Sequence, residues 1–150
     1  MTASGQRGTT RAALVAALMT SLVACNREGA QVRFVLPDDW EGALAIRVAP
    51  GLPDATRRLP TGEIEVAFPA SGLVQTGDFG FLERWHREVF VDRSGRTLAD
   101  VETGPTSTGS GSTETFTWYF RGSKRAADGF LNGPVSNGLQ RSWLQQHGMK

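Results

Sequence analysis

Cysteine is almost missing from this sequence: Cys25 is the only one. A single thiol excludes an intramolecular disulfide and any zinc or iron–sulfur site built on a cysteine cluster. Histidine is scarce as well, with His86 and His147 alone. Charge of one sign is also lacking. Sixteen Lys and Arg stand against 15 Asp and Glu, a formal charge of +1. So weak a field gives no basis for nucleic acid as a partner. No apolar run reaches the ~20 residues that a membrane-spanning helix needs. Glycine and proline, by contrast, are plentiful at 18 and 7, and they set frequent turns. The 150 residues, 39% of them hydrophobic, are enough for one ordinary domain with or without a short appendage.

The first 25 residues form a unit of their own. Arg7 and Arg11 are the only charges before Cys25, and Ala12 to Ala24 is a nearly unbroken apolar run of 13 residues. A basic start, a short apolar stretch and a small residue before the break describe a secretory signal peptide. The break itself, Leu22-Val23-Ala24-Cys25, resembles the lipobox of bacterial lipoproteins. That resemblance implies cleavage before Cys25, diacylation of its thiol and acylation of the new amino terminus. It also implies a membrane partner through the lipid anchor. Asn26 follows the cysteine where the inner-membrane retention signal has Asp, which points to the outer membrane. With residues 1–24 removed, 14 basic residues face 15 acidic ones, so the slight basicity belongs to the signal.

After a polar tether at 25–31 the chain reads as strands and turns. Val32 to Leu36 is β-branched and aromatic, and it ends at Pro37-Asp38-Asp39. Gly42 to Ala49 places Leu44, Ile46 and Val48 on one parity and Ala43, Ala45 and Arg47 on the other, a period of two. Ala55 to Leu59 fits a short edge strand, and Glu63 to Phe68 alternates again. Phe81 to Val91 and Arg96 to Val101 fit a hairpin closed by Asp92-Arg93-Ser94-Gly95, with Gly95 left-handed. Phe116 to Phe120 is the last strong strand. Thr103 to Glu114 has no large apolar residue to offset its ordering entropy, and it reads as a flexible surface loop. Ser123 to Ala127 fits one helical turn. Asn137 to His147 is helix-compatible, with Ser136 or Asn137 as cap and Gly148 as stop.

The expected fold is therefore mainly β: a small antiparallel β-sandwich of about seven strands at 32–128, with a C-terminal tail at 129–150 carrying a short helix.

Candidate chemistry is thin. Gly104 and Gly109 have the spacing of a phosphate-binding loop's glycines, but Ser110 and Gly111 replace the Lys and Ser/Thr that the loop needs. His86 and Glu88 lie two apart on an expected strand and would share a face. They are the basis of an enzymatic alternative, a hydrolase or metal-dependent enzyme, although a zinc site needs three or four ligands. Asp38, Asp39 and Glu41 lack the ligand spacing of a calcium loop and read as a solvated turn. Trp118 and Tyr119 have opposite parity in one strand, so one of them is expected to face away from the core and offer a binding surface.

One further resemblance covers roughly Arg33 to Asp128. Phe34-Val35-Leu36-Pro37-Asp38-Asp39-Trp40-Glu41-Gly42 resembles the opening of an uncharacterised family of bacterial lipoproteins and secreted proteins. Ile64-Glu65-Val66, the Val91 to Gly95 turn and Tyr119-Phe120-Arg121-Gly122-Ser123-Lys124 are also similar. The resemblance implies a small β domain of unknown function and carries over no catalytic residue. The expectation is an envelope-anchored, non-enzymatic binding or structural module that needs no cofactor or metal. Its partner would be an envelope protein or glycan.

Overall fold

The computed structural model describes residues 29–77, 80, 82, 86–108 and 113–149. The signal peptide, Cys25, Asn26 and most of the tether lie outside the described residues, as do Phe81 and Trp85.

Eight strands and two helices follow one another along the chain. The strands are β1 (Ala30–Val35), β2 (Gly42–Val48), β3 (Thr56–Arg58), β4 (Ile64–Ala67), β5 (Leu73–Thr76), β6 (His86–Val91), β7 (Val101–Thr108) and β8 (Thr115–Arg121). The helices are α1 (Lys124–Leu131) and α2 (Ser136–Gln146). The strands form two four-stranded sheets, ordered β3-β4-β1-β6 and β5-β2-β8-β7.

Both sheets are mixed, which corrects the expected antiparallel arrangement. β1 runs parallel to β4 and to β6, and β2 runs parallel to β5. The remaining pairs, β3–β4, β2–β8 and β7–β8, are antiparallel. The cause is the path of the chain. It leaves the first sheet after β1, enters the second as β2, returns for β3 and β4, crosses to β5, returns for β6 and ends in the second sheet with β7 and β8. Parallel neighbours need a crossover between them, and here the crossover passes through the opposite sheet.

The two sheets face each other across one apolar core. Val32, Phe34, Ile64, Val66 and Phe90 come from the first sheet. Leu44, Ile46, Val74 and Tyr119 come from the second. Phe34 lies 5.1 Å from both the Phe90 and Tyr119 rings, centroid to centroid. The second sheet is covered on its other face too. Ala45, Leu73 and Trp118 pack there against Ala127 and Leu131 of α1, with Trp143 and Leu144 of α2 alongside. The molecule is thus three layers: sheet, sheet, helices. The expected tail is part of this packing through Phe130, Leu131, Trp143, Leu144 and Met149.

Two turns follow the sequence reading closely. Gly95 has φ +87°, and the Asp92 carboxylate accepts from the Ser94 hydroxyl at 2.5 Å and the Arg96 amide at 3.0 Å. Gly148 also has positive φ, just after α2. The strand expected to return from the Asp92 turn forms only one bridge, Val91 to Thr97. The chain then moves to the other sheet as β7. The segment expected to be a flexible loop, Thr103 to Glu114, is strand over Thr103 to Thr108. Its pairing partner β8, rich in aromatics, supplies the hydrogen-bonding edge that its own small residues do not advertise. The cap expected at α2 also differs: Val135 occupies the position, and no side chain caps the helix.

Candidate binding groove and the His86–Glu88 cluster

Strand alternation places His86, Glu88 and Phe90 on the face of β6 that looks toward the second sheet. His86 Nε2 lies 3.3 Å from Glu88 Oε1. The same oxygen accepts the Tyr119 hydroxyl at 3.3 Å, and Thr103 Oγ1 donates to Glu88 Oε2 at 2.7 Å. One carboxylate therefore joins β6 of the first sheet to β7 and β8 of the second. Burial, then the Glu88 charge, then the hydrogen bond to Glu88 push the Tyr119 phenol well above its ordinary pKa. The phenol stays neutral and acts as a donor. The structure thus brings His86 and Glu88 together as the sequence spacing implies, and adds Tyr119 and Thr103. The second histidine, His147, is in the helical layer, where its ring nitrogens face Trp143 O at 2.7 Å and Ser71 O at 2.8 Å. Among the described residues, no group of three or more His, Cys, Asp or Glu is placed to hold a metal ion.

Trp118 and Tyr119 do have opposite parity, yet both are interior, at 1% and 0% exposed. Tyr119 lies between the sheets, and Trp118 lies beneath the helices. The aromatic binding face expected of this pair is therefore not made by their rings alone. The sequence reading assumed one covered face per sheet, whereas the helices cover the other.

A concave surface does exist next to Trp118. It is a groove of about 420 Å³ between the β7–β8 edge and α2. Phe116 and Leu144 line its apolar floor with Trp118 below. The Phe116 and Trp118 rings stack at 6.1 Å and 21°. The rim carries uncharged hydrogen-bonding groups: Ser107 and Thr108 from β7, Asn137 and Gln145 from α2. Gln140 is held in place by donating from Nε2 to Phe130 O at 3.1 Å. Arg141 is the one charged residue of the lining among the described residues. The Trp118 indole Nε1–H is buried without a hydrogen-bond partner among the described residues. Phe116 was legible as a strand residue. The α2 contribution is not legible in the same way, because only tertiary packing brings the tail onto the sheet.

No helix among the described residues is long and apolar enough to cross a membrane. No protein-family model matches the chain, so the resemblance to an uncharacterised lipoprotein family rests on its residues alone. No curated protein matches it either. Among solved structures, the chain is similar to a Bacillus anthracis protein provisionally described as a lipoprotein. The identity is 17% over 80% of this chain and 98% of that one, with a TM-score of 0.47. A likeness at that level establishes neither a shared fold nor a shared activity.

Proposed function

We propose that this chain is a lipid-anchored protein of the bacterial envelope, directed to the outer membrane by Asn26, whose domain is a non-enzymatic binding module. The groove against α2 is its ligand site. One observation carries the binding reading: the groove combines an apolar floor at Phe116 and Leu144 with a rim of uncharged donors and acceptors, the composition of small-ligand sites. Its volume of about 420 Å³ lies in the range of such sites, ~300–1,000 Å³. The anchor reading rests on Leu22-Val23-Ala24-Cys25. It fits a domain whose first strand begins at Ala30, a few residues later.

The test is amide chemical-shift mapping of the full-length protein in detergent micelles against defined envelope oligosaccharides. Shifts are expected to cluster on Ser107, Thr108, Phe116, Asn137 and Gln145. Shifts confined to another face, or none with any probe, overturn the groove as the site.

The competing reading is a hydrolase using His86 and Glu88, favoured by the 3.3 Å contact between them. Against it, both Glu88 oxygens already accept hydrogen bonds from the protein. Ester or amide hydrolysis by the purified protein that is lost in both His86→Ala and Glu88→Gln would replace the binding reading with the enzymatic one.

A further inference from the structure

The polarity of the groove narrows its ligand. Among the described residues, Arg141 brings the only charge in the lining, and no carboxylate joins it there. Arg47, Arg96 and Arg121 each close on a carboxylate, at 2.5, 2.9 and 3.1 Å. No such pair is formed by Arg141 among the described residues. Several arginines of the outer surface share that condition; Arg141 is one that stands in a concave site. A guanidinium with five fixed donors and no carboxylate partner among the described residues is suited to a planar or tetrahedral anion.

The start of α2 adds to the same field. Asn137, Gln140 and Arg141 place the first turns of this 11-residue helix along the groove. No side chain caps the helix, and its first turn holds no acidic residue. The amides of Ser136, Gly138 and Leu139 already donate to the carbonyls of Gly133 and Val135, so the helix start contributes the field of its dipole, with no acidic side chain to offset it. Trp118 also lines the groove, and its buried indole N–H has no hydrogen-bond partner among the described residues.

The remaining lining describes what carries the anion. Ser107, Thr108, Asn137 and Gln145 offer hydroxyls and amides that both donate and accept. A purely aliphatic ligand would make no use of these groups. An extended peptide would seek a sheet edge, and the adjoining edge strand β7 is poorly made for that. Pro105 has no N–H, and the β7–β8 register shifts between Thr103 and Thr106. A sugar ring matches the set, with its apolar face on Phe116 and its hydroxyls on the rim.

We infer that the groove binds an anionic saccharide, with Arg141 holding the carboxylate or phosphate and Phe116 carrying the sugar ring. The inference deepens the proposed function and rests on it.

The experiment is calorimetric and chemical-shift titration of the full-length protein in neutral detergent with four probes: trigalacturonate, glucose 6-phosphate, maltotriose and a short polyglutamate peptide. Both anionic sugars are expected to bind at least tenfold more tightly than maltotriose. Arg141→Gln removes that preference, and Phe116→Ala weakens the better anionic sugar at least fivefold. The ratio of trigalacturonate to glucose 6-phosphate distinguishes a uronate from a phosphate source. Arg141 is exposed, so its variant should keep the wild-type unfolding midpoint, which is checked alongside. Equal binding of maltotriose and the anionic sugars in the groove overturns the charge inference and leaves the binding module standing. Groove shifts with polyglutamate but with no sugar overturn the saccharide class. No groove shifts with any of the four overturn this inference; the proposed function itself falls only if the wider envelope panel is also silent there.

Discussion

Tyr119 and Glu88 meet across the gap between the two sheets, the buried phenol donating to the carboxylate at 3.3 Å. The bond satisfies the only polar atom that Tyr119 brings into an otherwise apolar core. It also gives Glu88 a structural task that its neighbour His86, two residues away, would not by itself suggest. Glu88→Ala leaves the phenol buried without its acceptor, and a stranded buried polar group costs ~1–3 kcal/mol. Tyr119→Phe removes the donor and the need for an acceptor together. Urea unfolding of the two single variants and the double variant should show coupling: Tyr119→Phe is expected to cost less in the Glu88→Ala background than in the wild type. Strict additivity would mean that the contact contributes nothing to folding.

Asp92 gives the fold a defined dependence on acid. Its carboxylate is held down at about 2, first by the Ser94 hydroxyl and then, against desolvation, by the Arg96 amide and guanidinium. A carboxyl depressed in the folded state contributes stability that is fully present above its unfolded pKa, ordinarily 3.8, and lost as pH falls through the folded value. Asp92→Asn is therefore expected to be less stable than wild type at neutral pH. The gap should narrow between pH 4 and pH 2. Thermal midpoints across that range check it, and a gap that is independent of pH contradicts the assignment.

Glycine at 104 is a matter of space. A Cβ there would stand 2.5 Å from Leu131 Cδ2 and 3.2 Å from the Trp118 carbonyl oxygen. The missing side chain lets α1 sit down on β7 and β8. Gly104→Ala should lift α1 and cost ~1–3 kcal/mol, the usual range for overpacking. Gly129, within α1, is the matched control: a Cβ there meets nothing within 4 Å. Gly129→Ala should stabilise by up to ~1 kcal/mol through helix propensity. Opposite signs in denaturant melts are the expected result; equal signs would remove the steric argument.

What could be read in advance follows from which signals are local. Leu44 and Ile46 alternate, and they do face the inter-sheet core. Ala45, between them, is buried as well because α1 and α2 cover the other face. Alanine is too small to announce burial on a second side. Thr103 to Thr108 carries no apolar pattern at all, and it is strand only because β8 offers it a backbone ladder. The parallel pairs of β1 with β4 and β6 depend on partners 32 and 56 residues away, which no local period encodes. The two sites divide in the same way. His86 and Glu88 are legible as an i, i+2 pair. Their partners Thr103 and Tyr119, like the placing of Arg141 beside Phe116, arise from tertiary packing alone.

The lone cysteine remains the most direct test of where the protein resides. A single acyl chain gives marginal membrane binding, whereas two or three anchor stably, since each buried methylene contributes ~0.8 kcal/mol. Cys25→Ser removes the acceptor thiol, so the precursor is expected to keep residues 1–24 and to lose palmitate labelling. Globomycin should likewise leave the signal uncleaved in the wild type. Asn26→Asp keeps the thiol and changes only the following residue. It should leave lipidation intact while moving the protein from the outer-membrane to the inner-membrane fraction on a density gradient. Normal cleavage and a soluble product from Cys25→Ser would defeat the anchor. Unchanged fractionation of Asn26→Asp would defeat the outer-membrane assignment and leave the anchor in place.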